Sequence, residues 1–410
     1  MKHIYTSLDI GSDNIKVVVC ELYHNKLNLL AASSLKSKGI KKGLITDVEL
    51  AGITIKQAIN EVENMLNMKI KKIIVSVPSY LADYSIIKGG TIIQNGIVTN
   101  EDIMKALEVA MKTKKLNGKE MVTILPIDYK LDEKDNILNP LGKSGKELYN
   151  RSVIVSVPKK NIYSVLGVLE NIGIEVVDIS LNNIGDLYAF KNNNFDNKIS
   201  AIINIGSETT SVSLYNRNVV VKSSILNMGG KNIDSDIAYM YKIDLDSAKK
   251  IKTKFALGYK RLASQADLYE IKNGDSILKI NQYEISEIVM SRLEEILNLA
   301  KNELNNLTSK QIDYIIITGG VSNTAAFEYL VNDIFPNKAS IGNIKIIGIR
   351  NNKYSSCIGN IVYFISKLKL KGKDFTMIND DDARKMVLAD SNRNSKESML
   401  GKIFGYFFNE

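Results

Sequence analysis

Two patterns of apolar residues alternate along this chain. Short unbroken apolar runs stop at glycine or proline, and longer stretches carry apolar residues every three or four positions. The first pattern predicts buried strands and the second amphipathic helices, so the order reads as α/β. Residues 8–19, Leu-Asp-Ile-Gly-Ser-Asp-Asn-Ile-Lys-Val-Val-Val, predict a buried strand, a tight glycine turn and a second strand returning beside it. Residues 202–214, Ile-Ile-Asn-Ile-Gly-Ser-Glu-Thr-Thr-Ser-Val-Ser-Leu, repeat the pattern, with Asn204 where the first copy has Asp9. Two related domains, each opening on a hairpin, are expected. Residues 73–78 and 153–158 are nearly identical apolar strands that end in proline. Residues 314–323 predict a strand running into Gly319-Gly320, with a helix over 324–332. In residues 284–307, Ile285, Ile288, Val289, Leu293, Ile296, Leu297, Ala300 and Leu304 fall at helical spacing and predict one long, mostly core-facing helix.

Between the two proline-ended strands lies a module of its own character. The pattern predicts a strand over 85–93, a helix over 100–112 capped by Thr99 or Asn100, and strands near 121–125 and 127–131. At the other end, Lys367, Lys369, Lys371 and Lys373 close a helix, and residues 374–397 turn polar, which predicts a flexible tether. Apolarity then returns. Met399, Leu400, Ile403, Phe404, Tyr406, Phe407 and Phe408 share one wide helical face, with Gly401, Lys402, Gly405 and Asn409 on the other. Such a segment is too short to span a bilayer but suits its interface; docking back on the body is the plainer alternative.

Composition narrows the class. A chain of 410 residues, 45% hydrophobic and 24% charged, can fill two or more cores. The start of the chain has no apolar stretch of the signal-peptide kind, and the expectation is a protein that stays in the cytoplasm. Cys20 and Cys357 lie in apolar segments, and with only His3 and His24 there is no zinc spacing, so buried reduced thiols are expected. The net charge of +9 comes from scattered lysines without an arginine stripe or stacking aromatics. It favours an anionic membrane surface over nucleic acid.

The candidate chemistry sits in the turns. A glycine without Cβ, at Gly11 or Gly206, lets backbone N–H groups approach an anion, and Ser12, Ser207, Thr209 and Thr210 add hydroxyl donors. Asp9, at the end of an apolar strand, is costly to bury unless paired or near a metal, and suggests Mg²⁺ held through water. Gly319-Gly320 at a strand end allows a flat purine to lie against backbone.

Hairpin, hairpin and strand-Gly-Gly in this order resemble the phosphate 1, phosphate 2 and adenosine motifs of the actin, sugar-kinase and heat-shock-chaperone ATPases. Gly96-Ile97-Val98-Thr99-Asn100-Glu101-Asp102-Ile103, Leu125-Pro126-Ile127-Asp128-Tyr129-Lys130-Leu131-Asp132, Asn139-Pro140-Leu141-Gly142 and Gly145-Lys146-Glu147-Leu148 resemble the 1C (SHS2-like) insert of the bacterial cell-division family FtsA. The resemblance implies an actin-like, ribonuclease-H-like duplicated fold. Subdomain 1A would take residues 1–83, 159–181 and 360–373, 1C residues 84–158, 2A residues 182–230 and 313–359, and 2B residues 231–312. The tether would be 374–397 and the membrane helix 398–410.

It also implies ATP and Mg²⁺ as ligands. Asp9, Gly11, Ser12, Asp13, Asn14 and Lys16 would serve from the first hairpin, and Asn204, Gly206, Ser207, Glu208, Thr209 and Thr210 from the second. Gly229 and Gly230 open a helix whose amino end can point at phosphates; Lys249 and Lys252 lie where the family touches sugar and base; Gly319, Gly320, Val321 and Ser322 complete the set. Implied partners are the FtsZ C-terminal peptide at 2B, further copies of the chain, anionic lipids and later division proteins, at the division site on the cytoplasmic side of the membrane. Many relatives carry Asp where this chain has Asn204, and Leu181-Asn182-Asn183-Ile184 offers no Glu or Gln to orient a water, so slow hydrolysis or none is expected. A PilM-type pilus adaptor and a sugar kinase share the fold as alternatives, whereas no substrate-binding β-domain follows that would make a chaperone.

Overall fold

A computed structural model describes residues 3–191, 198–273 and 276–378. The chain opens with β1 (His3–Ile10), β2 (Asn14–Tyr23) and β3 (Lys26–Lys36), a small hairpin β4 (Ile40–Lys41) and β5 (Leu44–Ile45), α1 (Val48–Leu66) and β6 (Lys72–Val77). The insert follows as β7 (Asp83–Ile92), α2 (Asn100–Lys112), β8 (Lys119–Leu131), β9 (Lys134–Ile137) and β10 (Glu147–Pro158). Then come α3 (Lys159–Asn171), β11 (Glu175–Leu181) and α4 (Asn182–Phe190). The second half has β12 (Ile199–Ile205), β13 (Thr210–Asn216), β14 (Val219–Leu226), α5 (Gly230–Tyr241), α6 (Leu245–Lys254), β15 (Leu268–Asn273), β16 (Ser276–Asn281) and α7 (Gln282–Leu307). It closes with β17 (Tyr314–Thr318), α8 (Phe327–Ile334), β18 (Ala339–Ile341) and α9 (Ser355–Lys371).

The duplication is visible in strand order. The first sheet runs β3-β2-β1-β6-β11 and the second β14-β13-β12-β17-β18. In each, the three opening strands are antiparallel and the last two parallel to the first. Strand periodicity divides the second sheet between two cores. Ile202 and Ile316 face the large core shared with the first sheet, while Ile203 and Ile317 face the core under α5, α7 and α8. The lobes join through α4 and α9, which cross at Gly185 and Gly359; a Cβ on Gly359 would stand 1.6 Å from the Gly185 carbonyl oxygen. Only glycine permits that approach.

The insert packs α2 on one face of its own sheet, β7-β10-β8-β9, over a small core of Ile103, Ala106, Leu107, Tyr129 and Leu148. Thr99 caps α2 and closes a capping box with Asp102. The expectation of separate strands on either side of Pro126 is corrected. β8 runs through as one strand because Ile127 bulges out opposite the Arg151/Ser152 step, a place where the ladder tolerates a missing N–H. The helix expected from residue 324 is corrected as well. Gly320–Asn323 form a 3-10 turn, and α8 begins at Phe327 because Ala326 sits in the left-handed region at φ 58°. Within the tether expected from residue 374, Met377 and Ile378 pack on the body: Met377 donates its N–H to the Ile4 carbonyl, and the two are each only 6% exposed. The rest of that segment and the expected helix at 398–410, with Met399, Leu400, Lys402, Ile403, Phe404, Tyr406, Phe407 and Phe408, lie outside the described residues.

Candidate functional site

Because β1 and β12 hold equivalent places in the two sheets, their hairpin turns end up across a common cleft of about 500 Å³. Its wall includes Asp9, Gly11, Ser12, Asp13, Asn14 and Lys16 from the first hairpin and Asn204, Gly206, Ser207 and Thr209 from the second. Gly230, Lys249, Lys252, Gly319, Gly320 and Val321 line it too. Gly319 has φ +93°, and a Cβ there would stand 2.4 Å from Asn204 Oδ1, whereas a Cβ on Gly320 would enter open space. One glycine is needed for packing and the other leaves room for a flat group.

Four residues singled out from the sequence do not line the cleft. Thr210 is fully buried and donates to the Met228 carbonyl; Ser322 turns back to the Gly319 carbonyl. Gly229 lies behind the second turn, where a Cβ would be 2.5 Å from the Ser207 carbonyl oxygen. Glu208 reaches the other lobe, accepting from the Lys42 N–H at 2.8 Å and pairing with Lys231 at 3.0 Å. The amino end of α5, expected to be able to point at phosphates, has its first N–H groups already engaged. Its Gly230 and Lys231 N–H groups donate to the carbonyls of Gly206 and Ser207 at 2.9 and 2.8 Å.

The charges are arranged in pairs. Lys16 holds Asp9 at 2.6 Å; burial would lower its ammonium, yet Asp9 outweighs this and keeps it above its ordinary value. Lys249 spans the cleft to grip both oxygens of Asp13 at 2.6 and 2.7 Å. Lys252 pairs with Asp234 at 2.6 Å and donates to the Gly230 carbonyl, and here burial wins, lowering the lysine and raising the aspartate. Burial pushes Glu208 up, but the Lys42 N–H and Lys231 outweigh it and hold the carboxyl below its usual range.

Sequence reasoning missed Lys42 and Gly43, brought in by the β4–β5 hairpin, and Asp234, Asn351, Lys353 and Ser356. It also missed Asp186 on α4, which touches cleft residues from behind. Five lysines against three aspartates line the cavity, an excess of positive charge that fits a polyphosphate. Among the described residues no group of three acids, histidines or cysteines could cage a metal. The lone carboxylate of Asp9, paired with Lys16, would suit a Mg²⁺ held through its own water.

Duplicated sheets with hairpin turns facing across a cleft and a Gly-Gly strand end between them define an actin-like, nucleotide-binding fold. Comparison with known proteins agrees with this fold and narrows the family. The family described as "Cell division protein FtsA" matches residues 201–359, and "SHS2 domain inserted in FTSA" matches residues 85–156. The cell-division protein FtsA of Bacillus subtilis (strain 168) is 25% identical over 375 residues, covering 90% of this chain and 85% of the relative. That of Enterococcus hirae is 23% identical over 433 residues, covering 98% of each. MreB 5 of Spiroplasma citri bound to AMPPNP superposes with a TM-score of 0.56 at 15% identity, over 90% of this chain and 99% of that one. The PilM-PilN type IV pilus biogenesis complex gives 0.58 at 14% identity, over 88% and 98%. Those two likenesses show the fold alone. The chain belongs to the FtsA family, and the pilus-adaptor and sugar-kinase alternatives give way to a cell-division protein.

Proposed function

We propose that this protein binds ATP with Mg²⁺ between its lobes, assembles head to tail at the inner face of the cytoplasmic membrane, and ties the FtsZ ring to that membrane at the division site. The convergence of both hairpin turns with Gly319-Gly320 on one cleft carries the nucleotide part of this reading. The backbone and hydroxyl donors of the turns would hold phosphates, Asp9 the waters of Mg²⁺, and Gly320 would leave space for the purine. Bound Mg²⁺ would supply neutralisation of the phosphates' negative charge.

Slow hydrolysis, or none, is consistent with the groups at hand. Asn204 cannot take a proton, and the Asn182 side-chain oxygen accepts from the N–H groups of Ser79 and Asn183 at 3.1 and 2.9 Å instead of orienting a water. We place the FtsZ C-terminal peptide on subdomain 2B, residues 231–312. There Arg292 ties α7 to Asp236 of α5 at 2.7 and 2.9 Å, and Tyr239 and Met240, one turn further on, stand 84% and 63% exposed. Exposed apolar side chains beside a fixed charge pair suit a short peptide with mixed apolar and charged residues. The helix at 398–410 would bind anionic lipid weakly by itself. Assembly would make further tails effectively intramolecular and lead to recruitment of later division proteins.

The test is binding of a fluorescent ATP analogue and of a labelled FtsZ tail peptide to the full chain. Saturable binding of both is expected, with Tyr239→Ala/Met240→Ala weakening only the peptide by at least about tenfold. Peptide binding untouched by that change moves the peptide site elsewhere, and absence of nucleotide binding contradicts the proposal.

A further inference from the structure

Asp186 lies on α4, one turn beyond the Asn182 that lines the cleft, and is only 1% exposed. Three elements meet at its carboxylate. Asn204 Nδ2, from β12, donates at 2.6 Å, and the Ser355 and Ser356 hydroxyls, at the start of α9, donate at 2.7 and 2.8 Å. Ser355 also accepts from Thr318 Oγ1 at 3.2 Å, the last residue of β17 before Gly319. These partners are neutral, yet a carboxylate is costly to bury, so packing alone gives no reason for an acid here. Asn would fill the same volume.

The geometry gives another reason. An ionised carboxylate only accepts hydrogen bonds, so the Asn204 amide must turn its NH₂ to Asp186. Its Oδ1 is then left on the Gly319 side, within 2.4 Å of where a Cβ of that cleft residue would stand. Asn204 and Ser356 line the cleft together with Asp9, and Lys16 feels the charges of both Asp9 and Asp186. A carboxylate at position 204 would instead face another carboxylate at hydrogen-bond distance, which like charges resist.

We propose that Asp186 is a positioning residue of the nucleotide site: it fixes the Asn204 amide with Oδ1 toward the cleft, ready to accept from a Mg²⁺-bound water, and lends from behind the negative charge that Asn204 lacks. The acid and the amide are a coupled pair, with the acid one layer deeper than the hairpin. This rests on the reading of the cleft as an ATP–Mg²⁺ site.

The experiment measures affinity of the full chain for a fluorescent ATP analogue with and without Mg²⁺, in the wild type, Asp186→Asn and Asp186→Ala, along with each thermal midpoint. Asn keeps the volume, and the two serine hydroxyls can turn to accept from it, so Asp186→Asn should fold. The factor by which Mg²⁺ tightens binding should fall by about tenfold in Asp186→Ala, and by about threefold in Asp186→Asn, which keeps a partner for Asn204 but no charge. A purely structural role would shift thermal midpoints and leave that factor alone. Both variants within about twofold of the wild-type factor would overturn the proposal, and Asp186→Asn decides alone if Asp186→Ala does not fold. A wild type that binds no nucleotide would sink the reading of the cleft and this inference together.

Discussion

At the scale of single residues, the buried Asp186 has a consequence that needs no nucleotide. Burial raises its carboxyl to about 6, although Asn204, Ser355 and Ser356 each pull the other way. A carboxyl raised in the folded state holds its proton there longer than in the unfolded chain. Its contribution to stability is fully present below the ordinary carboxylate range and is lost as pH rises through about 6. Asp186→Asn should therefore be more stable than the wild type at pH 7, by up to roughly 3 kcal/mol, with the difference vanishing toward pH 4. Urea unfolding of the nucleotide-free protein at the two pH values checks this, and a difference that does not change with pH would contradict it. Such an acid was not legible in the sequence. In Asn182-Asn183-Ile184-Gly185-Asp186-Leu187 it reads as an ordinary polar helix position, and its partners at 204, 355 and 356 are reached only through tertiary structure. Gly11, Gly206, Gly319 and Gly320 were legible because a turn that must approach something closely leaves its mark locally. Whether a turn residue lines the cleft, as Thr209 does, or turns its side chain away, as Thr210 does, depends on pairing with the neighbouring strand.

Elements show the same division between local signal and tertiary override. The sequence marks the start of α2 at Thr99 or Asn100, and the structure settles on Thr99, with Asp102 closing a box. Thr99→Ala should cost about 1 kcal/mol, felt as faster amide exchange along α2 while the two large sheets keep their protection. Pro126 misled because a proline ordinarily ends a strand, and only the neighbouring β10 reveals the bulge that absorbs it. The crossing of α4 and α9 left no clear mark in the sequence, since Gly185 and Gly359 are far apart along the chain and look like isolated helix glycines. With a Cβ on Gly359 forced to within 1.6 Å of a carbonyl oxygen, Gly359→Ala must push the helices apart. It should lower stability by about 3 kcal/mol or more. An unchanged denaturation midpoint would mean that the lobes are not held by this crossing.

For the whole molecule, the crossing helices make the lobes one piece at the back, while polar links join them at the front. Lys249–Asp13 and the Glu208–Lys42 hydrogen bond cross the cleft, and Arg217, in the turn after β13, donates to Asp128 and Asn136 of the insert at 2.7 and 2.8 Å. Two duplicated domains and an inserted module were legible because each domain begins with the same hairpin text, and the insert has its own strand and helix periods. The links between the domains were not, being single side-chain contacts between distant segments. Under the proposed function, membrane attachment belongs to this scale too: one short tail would bind weakly, and an assembly of chains would hold firmly. Co-sedimentation with anionic liposomes, with and without ATP and Mg²⁺, comparing the full chain with one ending at Glu397, tests the proposed function most directly. The full chain should pellet, more so with ATP, while the shortened chain stays in the supernatant. Equal pelleting of both forms, or of neither, would contradict a nucleotide-assembled anchor held by residues 398–410.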